Sequence, residues 1–164
     1  MSARFKFTFV LFFYAFLPVM LHAQLSGSYT IGPTGNYSTF NAAVNALTSQ
    51  GIAGAVTFLA EPGTYTDNIS LCIITNASYQ NRITFQSLNT NDEDVNITFI
   101  APGTKKNYLW KFFGVNHITR WNLTIHPIDR YNERILEFWG HYNNLVIKNI
   151  FHELTTINAR QKNP

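Results

Sequence analysis

Phenylalanine recurs along the chain at near-constant intervals, at Phe58, Phe85, Phe112 and Phe138. Two positions before each stands an apolar residue: Val56, Ile83, Trp110 and Leu136. The residue between is polar each time (Thr57, Thr84, Lys111, Glu137), and two positions after each Phe comes a small one (Ala60, Ser87, Gly114, Gly140). A period of two is the signature of a strand with one face inward, and here it is written four times. A second series runs in step with the first. Asn68, Asn96, Asn122 and Asn149 are each followed by a branched aliphatic residue, Ile69, Ile97, Leu123 and Ile150. Asparagine tolerates left-handed backbone and hydrogen-bonds its own main chain, which suits a corner between strands. The last two repeats hold a further strand between these, Ile118–Trp121 and Leu145–Lys148.

Two or three short strands per repeat, in register, predict an all-β fold: a right-handed parallel β-helix with coils of about 26–28 residues, spanning 52–154. No coil buries its apolar face alone, but coils stacked at about 4.8 Å pile identical positions inside. An antiparallel sandwich also uses many short strands, yet gives no reason for one residue type to recur at a fixed interval. Ahead of the first coil, apolar residues at Phe40, Ala43, Val44 and Leu47 have helical spacing. A helix over 38–51, with Ser38 as N-cap and Gly51 as C-cap, would cover the open end of the stack. Residues 24–37 are expected to be a lead-in, and 155–164 a polar tail.

The N-terminus sharpens the picture. Arg4 and Lys6 precede an apolar run from Phe7 to Leu21, and Ala23 offers a small residue for cleavage. That is the layout of a secretory signal peptide over 1–23; the run is short for a membrane span, which needs about 20 apolar residues. The formal charge is +3, and removing Arg4 and Lys6 leaves +1. No basic stripe then remains to neutralise phosphates, so nucleic acid is not an expected partner, and no later run is long enough to span a bilayer. Charged residues make up 13% and hydrophobic ones 46%, which argues against disorder. Asparagine occurs 18 times and strong helix formers are scarce, in keeping with a corner-rich β fold. The single cysteine, Cys72, cannot form an internal disulfide, and its apolar neighbours predict a buried small hydrophobe.

Thr39-Phe40 through Ala43-Val44, then Val56-Thr57-Phe58, then Pro62-Gly63-Thr64-Tyr65-Thr66-Asp67-Asn68-Ile69 resemble the start of right-handed parallel β-helices of the pectin-lyase type. The resemblance covers roughly Tyr37 to Ile150, and extends to the N-terminal part of large secreted bacterial surface proteins that carry many such coils. It implies the β-helix fold and two functional classes, surface modules and enzymes acting on acidic polysaccharides. The residues shared are corners and core. The stacked aspartate pair and Gln-Asp-Thr segment that the resemblance would bring for a pectinesterase are missing.

Each charged cluster has a simpler reading than chemistry. Asp92-Glu93-Asp94 lacks the alternation of a calcium loop and reads as a solvated turn. Asp129-Arg130 and Glu133-Arg134 read as loop charges rather than an acid/base pair. His152-Glu153 opens like a zinc-protease motif, but residue 156 is Thr. His117, His126, His141 and His152 share no phase of the repeat. Five Asn-x-Ser/Thr sequons sit partly on the Asn series and reflect strand composition. Arg120 falls on an inward phase beside Trp121, so a bulge that turns Arg120 out is expected there. Neither a catalytic residue, a metal ligand nor a cofactor site emerges.

One outward position per coil remains: Leu59, Gln86, Phe113 and Trp139. Phe113 and Trp139 would stand on neighbouring coils as a flat apolar shelf, of the kind that stacks on sugar faces. The reading is therefore a secreted or cell-surface module with a structural, adhesive or glycan-binding role, with polysaccharide as partner and further coils of a longer parent chain beyond it. The alternative is the N-terminal part of a polysaccharide-degrading lyase, hydrolase or esterase whose catalytic groups lie on later coils.

Overall fold

A computed structural model describes residues 23–89, 91, 94–99, 108–127, 134–139, 146–151 and 158–159. In chain order they form β1 (Leu25–Ile31), α1 (Phe40–Gln50), β2 (Ile52–Ala60), β3 (Gly63–Thr66), β4 (Ile69–Leu71), β5 (Ile83–Ser87), β6 (Val95–Phe99), β7 (Tyr108–Phe113), β8 (Ile118–Pro127), β9 (Arg134–Trp139), β10 (Val146–Phe151) and β11 (Asn158–Ala159). Among the described residues every paired strand runs parallel to its neighbour.

The strands make three ladders, which the chain visits in a fixed order. The first is β1-β2-β5-β8-β10, with Phe58, Phe85, Arg120 and Ile147 in register. The second is β3-β6-β8-β10, with Tyr65, Ile97, Ile125 and Phe151 in register. The third is β4-β7-β9-β11, with Leu71, Phe112, Phe138 and Ala159 in register. The ten-residue β8 serves the first ladder with its beginning and the second with its end, so those two form one sheet.

The phenylalanines therefore do not form one stack. Phe58 and Phe85 pair on the first ladder, whereas Phe112 and Phe138 pair on the third. On the first ladder the middle turn, from Phe85 to Arg120, is longer than the turns from Phe58 to Phe85 and from Arg120 to Ile147, and it shifts the phase. The asparagines separate too. Asn96 lies between Thr64 and Thr124, while the Nδ2 of Asn68 donates to the carbonyl of Tyr108. The register between β8 and β10 slips where Lys148–Ile150 faces Trp121–Thr124. The extra residue therefore lies in β8 just after Trp121, one step beyond the place expected for it, while the backbone of Arg120 keeps step with Phe85 and Ile147.

The core lies between the ladders. Phe58 stacks on Phe85, Phe85 meets the fully buried Trp110 edge to face at 5.3 Å, and Trp110 lies against Phe112. α1 begins one residue later than expected, with Thr39 rather than Ser38 as N-cap; its Oγ1 accepts from the Ala42 N–H at 3.1 Å. Ser38 lies one position too early for its hydroxyl to reach the first free N–H groups. Asp67, between β3 and β4, also receives the Phe40 N–H (3.0 Å) and the Asn41 amide (2.7 Å), tying the helix to a corner of the first turn. α1 ends at Gly51, whose φ of 67° lies in the left-handed region and whose N–H donates to Leu47. The helix packs on β4 and β1 through Phe40, Ala43, Val44 and Leu47. Phe40 reaches furthest, touching Tyr65, Phe85 and Trp110, one ring from each ladder.

Two segments outside 52–154 also contribute strands. The lead-in contains β1, which pairs with β2 over most of its length, and the tail contains β11, which pairs with β9. The leader read at 1–23 lies outside the described residues except for Ala23.

Candidate functional site

The third ladder has an outer face built by alternation along its strands, with Leu109 and Glu137 buried as exceptions. In β4, Ile69 and Leu71 are buried and Ser70 is exposed. In β7, Trp110 and Phe112 are buried while Lys111 and Phe113 point outward. In β9, Leu136 is buried and Trp139 is exposed. Register then sets outer residues side by side: Ser70, Lys111 and Glu137 in one row, Phe113 and Trp139 in the next. Parallel strands lie about 4.8 Å apart, so the two aromatic side chains leave the surface one strand spacing from each other.

Phe113 is 54% exposed and Trp139 37%. The backbone holds both in place, since the N–H of Gly114 donates to the carbonyl of Trp139 at 2.8 Å. Gly114 has φ of 62° and sits against Ile73; a Cβ there would lie 3.4 Å from Ile73 Cγ1. Ile73, 70% exposed, thus extends the apolar surface beside Phe113. Cys72 is exposed, which overturns its expected burial. It follows the inward Leu71, and the period of two turns it outward whatever the hydropathy of its neighbours.

The polar row borders the aromatic one. Lys111 Nζ stands 3.6 Å from Glu137 Oε2. The same ammonium lies 5.1 Å from the ring centroid of Tyr108 and 5.4 Å from that of Trp139. One cation thus joins a carboxylate and two rings, and steadies the tryptophan beside it. The only trace of this ion pair in the sequence is that Lys111 and Glu137 occupy matching positions of successive repeats with opposite charge.

The other outward residues of the series go elsewhere. Leu59 and Gln86 pair with each other on the first ladder, and Gln86 with Trp121. Asp94 accepts from the amides of Asn89 and Asn91, as a turn acid does. Asp92, Glu93, Asp129, Arg130, Glu133, His141, His152 and Glu153 lie outside the described residues. Among the described residues no three of His, Cys, Asp and Glu come together as a metal site would require, and no helix is long and apolar enough to cross a membrane.

No family model and no curated protein matches the chain. Two solved structures do, both of the pectin methylesterase from Aspergillus niger. The penultimately deglycosylated form, with an N-acetylglucosamine stub, matches with a TM-score of 0.53 at 19% identity, and the deglycosylated form with 0.52 at 18%. Each match covers 76% of this chain and 42% of the other, so the chain spans less than half the length of those structures. At this identity the likeness is one of fold: the three parallel ladders resemble the pectin-lyase-like architecture of a pectin methylesterase.

Proposed function

We propose that this chain is a secreted or cell-surface module that holds a polysaccharide against the outer face of its third ladder. In this reading the three ladders close into a right-handed β-helix, exported by the leader at 1–23 and continued by further coils of a longer parent. The observation that carries it is the exposed pair Phe113 and Trp139, fixed in register on adjoining strands. Large rings kept outside a well-filled core call for a partner with flat apolar faces and polar edges, and pyranose sugars have both. The likeness to pectin methylesterases supports the class of ligand. Titrating soluble pectin, alginate and xylan fragments while following tryptophan fluorescence tests it. A saturable change that Trp139→Ala removes without unfolding the chain is the expected result; no change with any glycan overturns the reading.

The second reading, the N-terminal part of a polysaccharide-degrading enzyme, is favoured by the same neighbours and by the 42% of their length that the chain spans. It expects catalytic groups on later coils. Assaying the longest product of the gene for cleavage or de-esterification of pectin distinguishes the two.

A further inference from the structure

Building on that reading, we propose that the shelf of Phe113 and Trp139 selects an uncharged polysaccharide and that the sugar chain runs across the strands, not along them. The selection comes from the row beside the rings. Lys111 borders the shelf through the Trp139 ring, and its charge is already engaged: Glu137 Oε2 lies 3.6 Å away, and the rings of Tyr108 and Trp139 flank it. Glu137 is only 8% exposed, so its carboxylate stays where it is. A uronate carboxylate approaching Lys111 would have to displace Glu137 or lie against it, like charge on like charge. A neutral sugar meets no such penalty. It finds two ring faces, and along their edge an ion pair able to accept and donate hydrogen bonds to hydroxyls.

The direction follows from register. Ile73 lies against Gly114, which sets Cys72 beside Phe113, and Phe113 pairs with Trp139. The exposed line therefore runs from Cys72, just past the end of β4, to Phe113 on β7 and Trp139 on β9, at about 4.8 Å per step. Along β9, by contrast, the face passes at once from Trp139 to the buried Glu137.

The full chain should be titrated with cellohexaose, xylohexaose and hexagalacturonate at low salt, by tryptophan fluorescence. A neutral hexasaccharide should bind at least about tenfold more tightly than hexagalacturonate, a difference of about 1.4 kcal/mol. Bound neutral sugar should also slow alkylation of Cys72, the single thiol. Glu137→Gln, which uncovers the Lys111 charge, should move the preference toward hexagalacturonate; if that variant does not fold, the wild-type ratio still decides. Equal or tighter binding of hexagalacturonate overturns this selection while leaving the polysaccharide reading intact. Neutral binding with Cys72 alkylated at its free rate overturns the direction. Binding of none of the three overturns both this inference and the reading beneath it.

Discussion

Phe58 lies flat on Phe85, with ring centroids 4.9 Å apart and planes 17° from parallel. Phe112, as far beyond Phe85 in sequence as Phe85 is beyond Phe58, belongs to another ladder and meets Phe85 only through Trp110. Equal spacing in sequence thus gives direct contact in one case and an intervening indole in the other.

That difference is measurable. Phe85→Ala should cost about 3–5 kcal/mol, as expected for a fully buried ring. In double-mutant cycles Phe58 and Phe85 should couple by about 0.5–1.5 kcal/mol. Phe85 and Phe112, which touch the same indole but not each other, should couple less strongly than that pair. Urea melts of the two single variants, Phe112→Ala and each double variant decide it; equal coupling in both pairs would mean the rings share one stack after all.

Asp67 should give stability a pH dependence. Burial raises its carboxyl above the ordinary 3.8, and the N–H of Phe40 and the side chain and N–H of Asn41 oppose the rise only in part. A carboxyl with a raised native pKa binds its proton more tightly in the folded state. Its contribution is therefore fully present below the ordinary value and lost as pH rises through the raised one. Asp67→Asn should be closest to wild type in neutral solution and fall behind it in acid. Thermal melts at a series of pH values would show a constant difference if Asp67 titrates normally.

Gly51→Ala should destabilise by about 1–2 kcal/mol, the cost of a left-handed backbone for an L side chain. The added Cβ would also lie 3.0 Å from that of Thr75. Gly54→Ala, where the nearest atom is 3.5 Å away, serves as the control and should change stability little. A loss of similar size at both positions would remove the argument from φ.

Exported material should begin at Gln24, one residue before β1. N-terminal sequencing of culture supernatant checks this, and a product starting at Met1 contradicts the leader.

What was legible followed from local periodicity. α1 could be read because four apolar positions and a C-terminal glycine define it without reference to anything distant. Parallel pairing was legible wherever a single turn of the basic repeat length separates the partners, as for Phe58 with Phe85 and for Phe113 with Trp139. The phase failed where a turn lengthens: the turn from Leu71 to Phe112 on the third ladder is far longer than the basic repeat, and loop insertions carry no hydropathy signal of their own. Cys72 was misread from its neighbours' hydropathy when its phase after Leu71 was the better guide. The candidate rings were found because they are apolar on an outward phase. The Lys111–Glu137 pair was passed over because charge on that phase is ordinary, and only register shows that the two charges meet.

The position of Phe40 has a consequence for how the molecule comes apart. Stacked architectures can lose their terminal repeats one at a time, each contacting only its neighbour. Here the first turn is not free to leave in that way, because one ring of the helix is held by Tyr65, Phe85 and Trp110 together. Releasing the N-terminal end opens all three ladders at once, so this end should behave as a single cooperative unit in native-state hydrogen exchange. The amides of β2 and β5 should share one opening free energy, with β10 and β11 exchanging earlier. Phe40→Leu should split that unit, letting β1 and the helix exchange ahead of the strands they cover.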